Sequence, residues 1–197
     1  MQSNKPRSSA KQRIIDAAFE PFFIHGYEAA SLSHIANIVG IRKATIYTHF
    51  DSKEAIFLEL LQDALELESA FLRTCFATAS DLSGPGDAYC HAFKERYDSA
   101  VTLRFLIRMS YTAPVHLTDP VAAIFDAYLE VLTEQIQLSL QPYNLDSEQL
   151  EMYTHAYIGV IDSLSVALLY AETLYKYRLK AMLMLYQNAI RQLSKKH

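Results

Sequence analysis

The chain has 197 residues, 51% of them apolar and 20% charged, with a net charge of -4 and an isoelectric point near 6.0. That length can bury the core of a small domain beside a larger one, and the acidic total excludes a nonspecific nucleic-acid coat protein. Cys75 and Cys90 lack metal-ligand spacing, and the chain has no Gly-rich phosphate loop, HExxH pair or nucleophile elbow, so no cofactor, metal or catalysis is expected.

Residues 1–12 read as a flexible, polar tail, and Lys5, Arg7, Lys11 and Arg13 suit either a basic arm near DNA or a plain solvated terminus. No continuous apolar signal core opens the chain, so a cytoplasmic protein is expected. Residues 13–53 read as a separate reading domain. Its first helix carries Ile14, Ile15, Ala17 and Ala18, and Pro21 predicts a kink within it, because proline removes one backbone bond and crowds the preceding turn.

The next segment, Ser31 to Glu54, carries the clearest functional signal. Leu32, Ile35, Ala36 and Val39 line one face of a short helix that Ser31 is placed to cap. Gly40 tolerates the left-handed conformation that ends it, and a second helix then follows with Ile41, Ile46 and Phe50 inward. Its outward side is crowded with donors: Arg42, Lys43, Thr45, Tyr47 and His49. Asp51 and Glu54 then read as the N-cap and N3 pair of a third, longer helix.

This segment resembles the helix-turn-helix DNA-binding domain of the TetR (tetracycline repressor-like) regulators from about Arg13 to Leu60. The resemblance rests on Gly26-Tyr27, Ile35-Ala36, Gly40-Ile41, Thr45-Ile46-Tyr47, His49-Phe50 and Ser52-Lys53-Glu54. It implies a recognition helix from Arg42 to His49 in the major groove, with Tyr47, His49 and Lys53 on phosphates. Arg42, Lys43 and Thr45 are the candidates for base contact, and an arginine or lysine suits the O6/N7 edge of guanine. Ser31 completes the candidate contacts. Ala30 stands where the family usually has a hydroxyl residue, and Arg42 where it usually has a small one.

Residues 54–197 read as a helical effector-binding and dimerisation domain, making the whole an all-α chain: a three-helix reading head and a C-terminal bundle. A long helix follows Lys53 and ends at the turn-rich 81–86 stretch. Helical segments are then expected from Asp87 to about Thr112 with a break near Ser99, from about Pro120 to Leu140, from an Asp146/Gln149 cap to about Ala171, and from about Leu174 to Leu193. The most apolar stretch, Ala156 to Ala171, contains Asp162 and reads as too short and polar to span a membrane. The last two helices are apolar around most of their circumference, which predicts a homodimer built through them, as the resemblance also implies.

Charge divides the same way. Residues 1–53 carry seven Lys/Arg against four Asp/Glu, and residues 54–197 carry eleven against eighteen, so a basic head approaches phosphate while an acidic body hangs away. The body is rich in tyrosine. Tyr89, Phe93, Tyr97, Phe105, Tyr111, Phe125, Tyr128, Tyr153 and Tyr157 are candidate cavity-lining residues, with Arg104, Arg108, His116, His155 and Asp162 available to orient a polar group. These features together predict a dimeric repressor that grips a palindromic double-stranded DNA operator and is released by a small, largely apolar effector. The alternative is a DNA-bound adaptor or activator governed by a protein partner.

Overall fold

Ser8 starts the first helix: its Oγ accepts a hydrogen bond from the Lys11 backbone, and α1 runs Ser9–Ala29. A computed structural model describes residues 7–78 and 84–193; among them are nine α-helices and no strand. Residues 9–12, expected in the tail, are helical, whereas Lys5 lies outside the described residues. Arg7 ion-pairs with Glu59 at 2.5 Å and bonds both oxygens of Asp63, and Lys11 pairs with Glu59 at 2.7 Å, so these cations are engaged by the long helix.

The expected kink at Pro21 is not found. The one residue of α1 with non-helical dihedrals is Gly26, at φ 74° and ψ 174°. Proline forfeits one bond to the preceding turn, and here its ring is buried on the apolar face beside Phe22, where packing compensates. The break at Gly26 has its own compensation, because Arg108 donates to the Phe23 carbonyl at 2.7 Å.

Helices α2 (Leu32–Val39) and α3 (Lys43–Ile46) complete the head, and α4 (Lys53–Ala77) leads out of it. With 25 residues, α4 is roughly 37 Å long. Its first half buries Ile56, Phe57, Leu60, Leu61 and Ala64 in one apolar cluster with Ile14, Phe22, Tyr27, Ile35, Ile46 and Phe50 of the head. The same cluster takes in Phe105, Leu106, Met109, Leu117 and Val121 of the body, so packing runs unbroken across residues 53 and 54.

The body adds α5 (Asp87–Ser99), α6 (Val101–Tyr111), α7 (Thr118–Leu140), α8 (Ser147–Tyr170) and α9 (Tyr175–Leu193), close to the expected spans. Residues 81–83 of the expected turn lie outside the described residues. Gly86 fits where little else would: at φ 77°, an added Cβ would stand 2.2 Å from the Tyr157 ring, whose hydroxyl donates to the Gly86 carbonyl at 2.7 Å. Asp146 and Gln149 form the expected capping box of α8. That helix is 24 residues long and, by length and composition alone, apolar enough to cross a membrane, a test that the core helix of a bundle also passes. Here Tyr157, Val160, Ile161, Leu164 and Leu168 bury its inner face within the bundle. Met152 and Tyr170 of α8, and Tyr177, Met184 and Leu185 of α9, stay exposed.

Among the described residues, two carboxylates are buried in the body: Asp87, which accepts from Gly84 N and Gln187, and Glu68. Glu68 of α4 is 1% exposed and accepts bonds from Arg96 Nε at 2.9 Å and Nη2 at 2.8 Å, and from the Thr102 hydroxyl. Three helices meet on this carboxylate. The Arg96 guanidinium also lies 4.7 Å from the Phe71 ring, and the carboxylate holds its pKa above the ordinary value. Removing one partner of such a pair strands a charge away from water. Arg96→Ala is therefore expected to lower the unfolding free energy by about 3 kcal/mol, whereas Glu68→Leu with Arg96→Met costs much less, both read by urea denaturation at one protein concentration.

Candidate DNA interface and ligand cavity

The turn between α2 and α3 is built by backbone. Gly40 adopts φ 75° and ψ 34°, which lets its own N–H reach Asn37 O at 3.2 Å and the Ile41 N–H reach Ala36 O at 3.0 Å. Ile46, fully buried, then pins α3 to the head core. The α-helix expected from Arg42 to His49 is shorter than that span. Lys43–Ile46 is helical, Arg42 is the extended N-cap, and 47–49 continue as turns in which the Ile46 carbonyl accepts from both His49 and Phe50.

On this element Arg42, Lys43 and Tyr47 are exposed, Thr45 and His49 half-buried. Among the described residues, none of these five side chains has a hydrogen-bond or ion-pair partner, which leaves their donors free for phosphate or base edges. Ala44 and Thr48 are exposed on the same surface. Sequence reading passed over them, although Lys43, Ala44, Tyr47 and Thr48 fall at i, i+1, i+4 and i+5 on one helical side.

Three flanking residues differ from expectation. Ser31 is the N-cap of α2 by position, yet its hydroxyl makes no capping bond and is exposed. The cap of α4 is Ser52, whose Oγ accepts from Ala55 N at 3.2 Å, and not Asp51, because the helix begins one residue later than the spacing suggested. Lys53, the third, turns inward. Its ammonium bonds the carbonyls of Glu28 at 3.2 Å and Ala30 at 3.1 Å and lies 4.3 Å from the Tyr27 ring, closing the end of α1. Arg13 does the same for α2, donating to Val39 O at 2.8 Å.

Beside Lys53, Glu54 accepts from the Tyr27 hydroxyl at 2.7 Å, and His116 Nε2 stands 3.9 Å from the same carboxylate oxygen. The Tyr27 bond, more than the distant His116, lowers the Glu54 pKa to about 2, while burial and this carboxylate push the Tyr27 hydroxyl up. His116 sits on a short turn, 115–117, between α6 and α7. It is thus a joint between head and body, and is not directed at a ligand.

A cavity of about 360 Å³ opens between α6, α7 and α8. Phe93, Tyr111, Phe125, Tyr128 and Asp162 of the expected residues line it. The others lie elsewhere, each for a visible reason. Phe105 is fully buried in the head–body cluster, stacked edge-on with Phe19 and Phe57. Tyr89 is buried behind the wall, its hydroxyl 2.5 Å from that of Tyr128. Tyr157 is held by Gly86, and Tyr153 reaches Ala189 O at 3.4 Å. Arg104 donates to the carbonyls of Tyr97 and Asp98, leaving Tyr97 at the end of α5, and Arg108 holds Phe23 O. His155 is exposed. The remaining wall is largely aliphatic, including Leu103, Met109, Leu129 and Ile158, residues that an aromatic-weighted reading passes over. Leu106, Met109 and Val121 line the cavity and also belong to the cluster shared with the head. Cys90, buried behind it, has its thiol pKa pushed up to about 12 by burial, which favours the inert protonated form.

Residues 14–60 match the family model of bacterial regulatory proteins, tetR family. The chain is 28% identical over 170 residues to IcaR of Staphylococcus epidermidis, a negative transcriptional regulator of a biofilm operon, covering 84% of this chain and 82% of that one. It is 33% identical over 76 residues to the transcriptional activator FasR of Mycolicibacterium smegmatis, covering 39% of this chain and only 35% of FasR. In fold it is similar to the fatty acid degradation regulator FadR of Bacillus halodurans (TM-score 0.71, 20% identity, 94% and 96% of the two chains). FadR of Bacillus subtilis, solved with stearoyl-CoA, gives a TM-score of 0.62 at 18% identity over 92% and 96%.

The Glu54 contact generates a pH dependence whose sign is fixed. A carboxylate lowered from 4.5 to about 2 adds stability that is fully present above pH 4.5 and is lost as pH falls towards 2. Glu54→Gln is expected to show a smaller loss over that window than the unchanged protein, the two urea-midpoint curves converging near pH 2.

Proposed function

We propose, on the premise that this chain belongs to the TetR family of DNA-binding transcription regulators, that it is a homodimeric repressor of a palindromic operator, released by a small, largely apolar effector held between α6, α7 and α8. The observation that carries the release step is the shared wall. Leu106, Met109 and Val121 face the cavity and pack in the same cluster as Phe22, Ile46 and Phe57, so a molecule that spreads α6 from α7 must disturb the seating of the head.

The segment between those helices reinforces the route. Ala113 and Thr118 line the cavity, while His116 between them faces Glu54 and Leu117 enters the head cluster. An effector acts only through its differential affinity for the two arrangements, one with the heads at operator spacing and one without. The exposed Met152, Tyr170, Tyr177, Met184 and Leu185 support dimerisation through α8 and α9, since two apolar helix faces side by side are otherwise left in water. A two-fold axis there sets two heads on successive major grooves, roughly 34–36 Å apart. The cavity favours sensing over the adaptor alternative, and likeness to IcaR along most of both chains favours repression over activation.

In anisotropy titrations with the operator found by genome-wide mapping, Tyr47→Phe is expected to weaken binding to all sequences alike, by about 3- to 10-fold. Arg42→Ala or Lys43→Ala is expected instead to change the preferred base, at about 1–3 kcal/mol of discrimination. A uniform loss for all three would assign both cations to phosphate. Leu185→Glu with Tyr177→Glu should yield a monomer by light scattering, with operator affinity lost. Operator affinity unchanged by every compound found in the cavity would overturn the release mechanism.

A further inference from the structure

The charge of the cavity says more about its ligand than its volume does. Among the residues lining it there is no lysine, arginine or histidine; the charged members are Asp126 of α7 and Asp162 of α8. The arginines nearest in sequence are engaged elsewhere, Arg104 by Tyr97 and Asp98 and Arg108 by Phe23, each through backbone carbonyls. His116 faces Glu54 and Tyr27. Among the described residues neither Asp126 nor Asp162 has an ion-pair or hydrogen-bond partner.

We infer that the effector is a lipophilic organic cation, a protonated amine or quaternary ammonium on an apolar body, and not a carboxylate or acyl-CoA. This rests on the reading of the cavity as the effector site and sets the chain apart from the fold neighbour that holds stearoyl-CoA. The rings of Phe93, Tyr111, Phe125 and Tyr128 line the cavity, where an aromatic face attracts a cation, and two unpaired carboxylates add opposite charge. An anion would meet both carboxylates with no cationic side chain to offset them. Both carboxylates are exposed to solvent as they line the cavity, so a ligand cation can reach them; partial desolvation raises the pKa of Asp162, and a bound cation would relieve that cost. Ser110, Thr118 and Ser165 supply hydroxyls but no charge, and a volume of about 360 Å³ suits a ligand at the small end of the usual range.

A matched series tests the sign of the charge at constant apolar length: decyltrimethylammonium, decanol and decanoate, each titrated calorimetrically into the full-length protein below its micelle concentration. The cation is expected to bind about ten-fold tighter than decanol, with decanoate weakest, and to release operator DNA at the lowest concentration. Asp126→Asn with Asp162→Asn is expected to erase the preference for the cation while leaving decanol binding in place. Asp119→Asn, outside the lining, should change nothing, which separates the cavity from general surface charge. If decanoate binds as tightly as the cation and releases DNA, the charge inference is overturned and the effector reading stands. If none of the three binds or releases DNA, the cavity is not an effector site and both fail.

Discussion

Everything in this molecule depends on how Phe57 is packed. Its ring lies 5.4 Å from Phe22 and 5.1 Å from Tyr27 in α1, and 5.9 Å from Phe105 in α6, so one side chain of the long helix is gripped from the head and from the body at once. Edge-on aromatic contacts add about 0.5–1.5 kcal/mol each beyond the area they bury, and a close-packed cluster transmits displacement because it has no slack to absorb it. Head and body are therefore mechanically one object, although their charges are opposite.

Cationic side chains show a division of labour. Lys53, Arg13, Arg104 and Arg108 each satisfy backbone carbonyls at helix ends, where the helix dipole and orphaned acceptors favour a positive group. Arg7 and Lys11 are held by acids of α4. Among the described residues, the side chains left uncommitted near the turn include Arg42 and Lys43, at the start of α3, with Tyr47 one turn later. The same economy leaves the cavity without a base. Its polarity comes from two carboxylates and a few hydroxyls against an otherwise apolar wall.

The long helix also explains why Glu68 can be tolerated inside. A carboxylate in the middle of an apolar bundle is costly unless its lone pairs are met, and Arg96 and Thr102 meet them from two other helices. This contact fixes α5 and α6 against α4 at the level just below the shared cluster. The cavity-lining part of α6 is thereby hinged between a polar tie at Thr102 and an apolar one at Phe105 to Met109.

The sequence by itself determined the local units: periodic apolar positions, Gly40 at the turn, the Asp146/Gln149 box and the donor-rich run after Arg42 are short-range features whose geometry follows from helical spacing and caps. It also carried the division into a basic head and an acidic body, because charge counts need no coordinates. Only the tertiary structure decided which tyrosines face a cavity and which are locked behind it, as Tyr89 and Tyr157 are, and that Arg104, Arg108, Lys53 and His116 serve joints and carbonyls. It also decided that α1 breaks at Gly26 and not at Pro21. The reason is physical: an aromatic ring or a cationic side chain has several ways to be satisfied, and for Lys53, Arg108, Tyr89 and Tyr157 the choice falls to partners 23 to 85 residues away, whose approach no local pattern encodes.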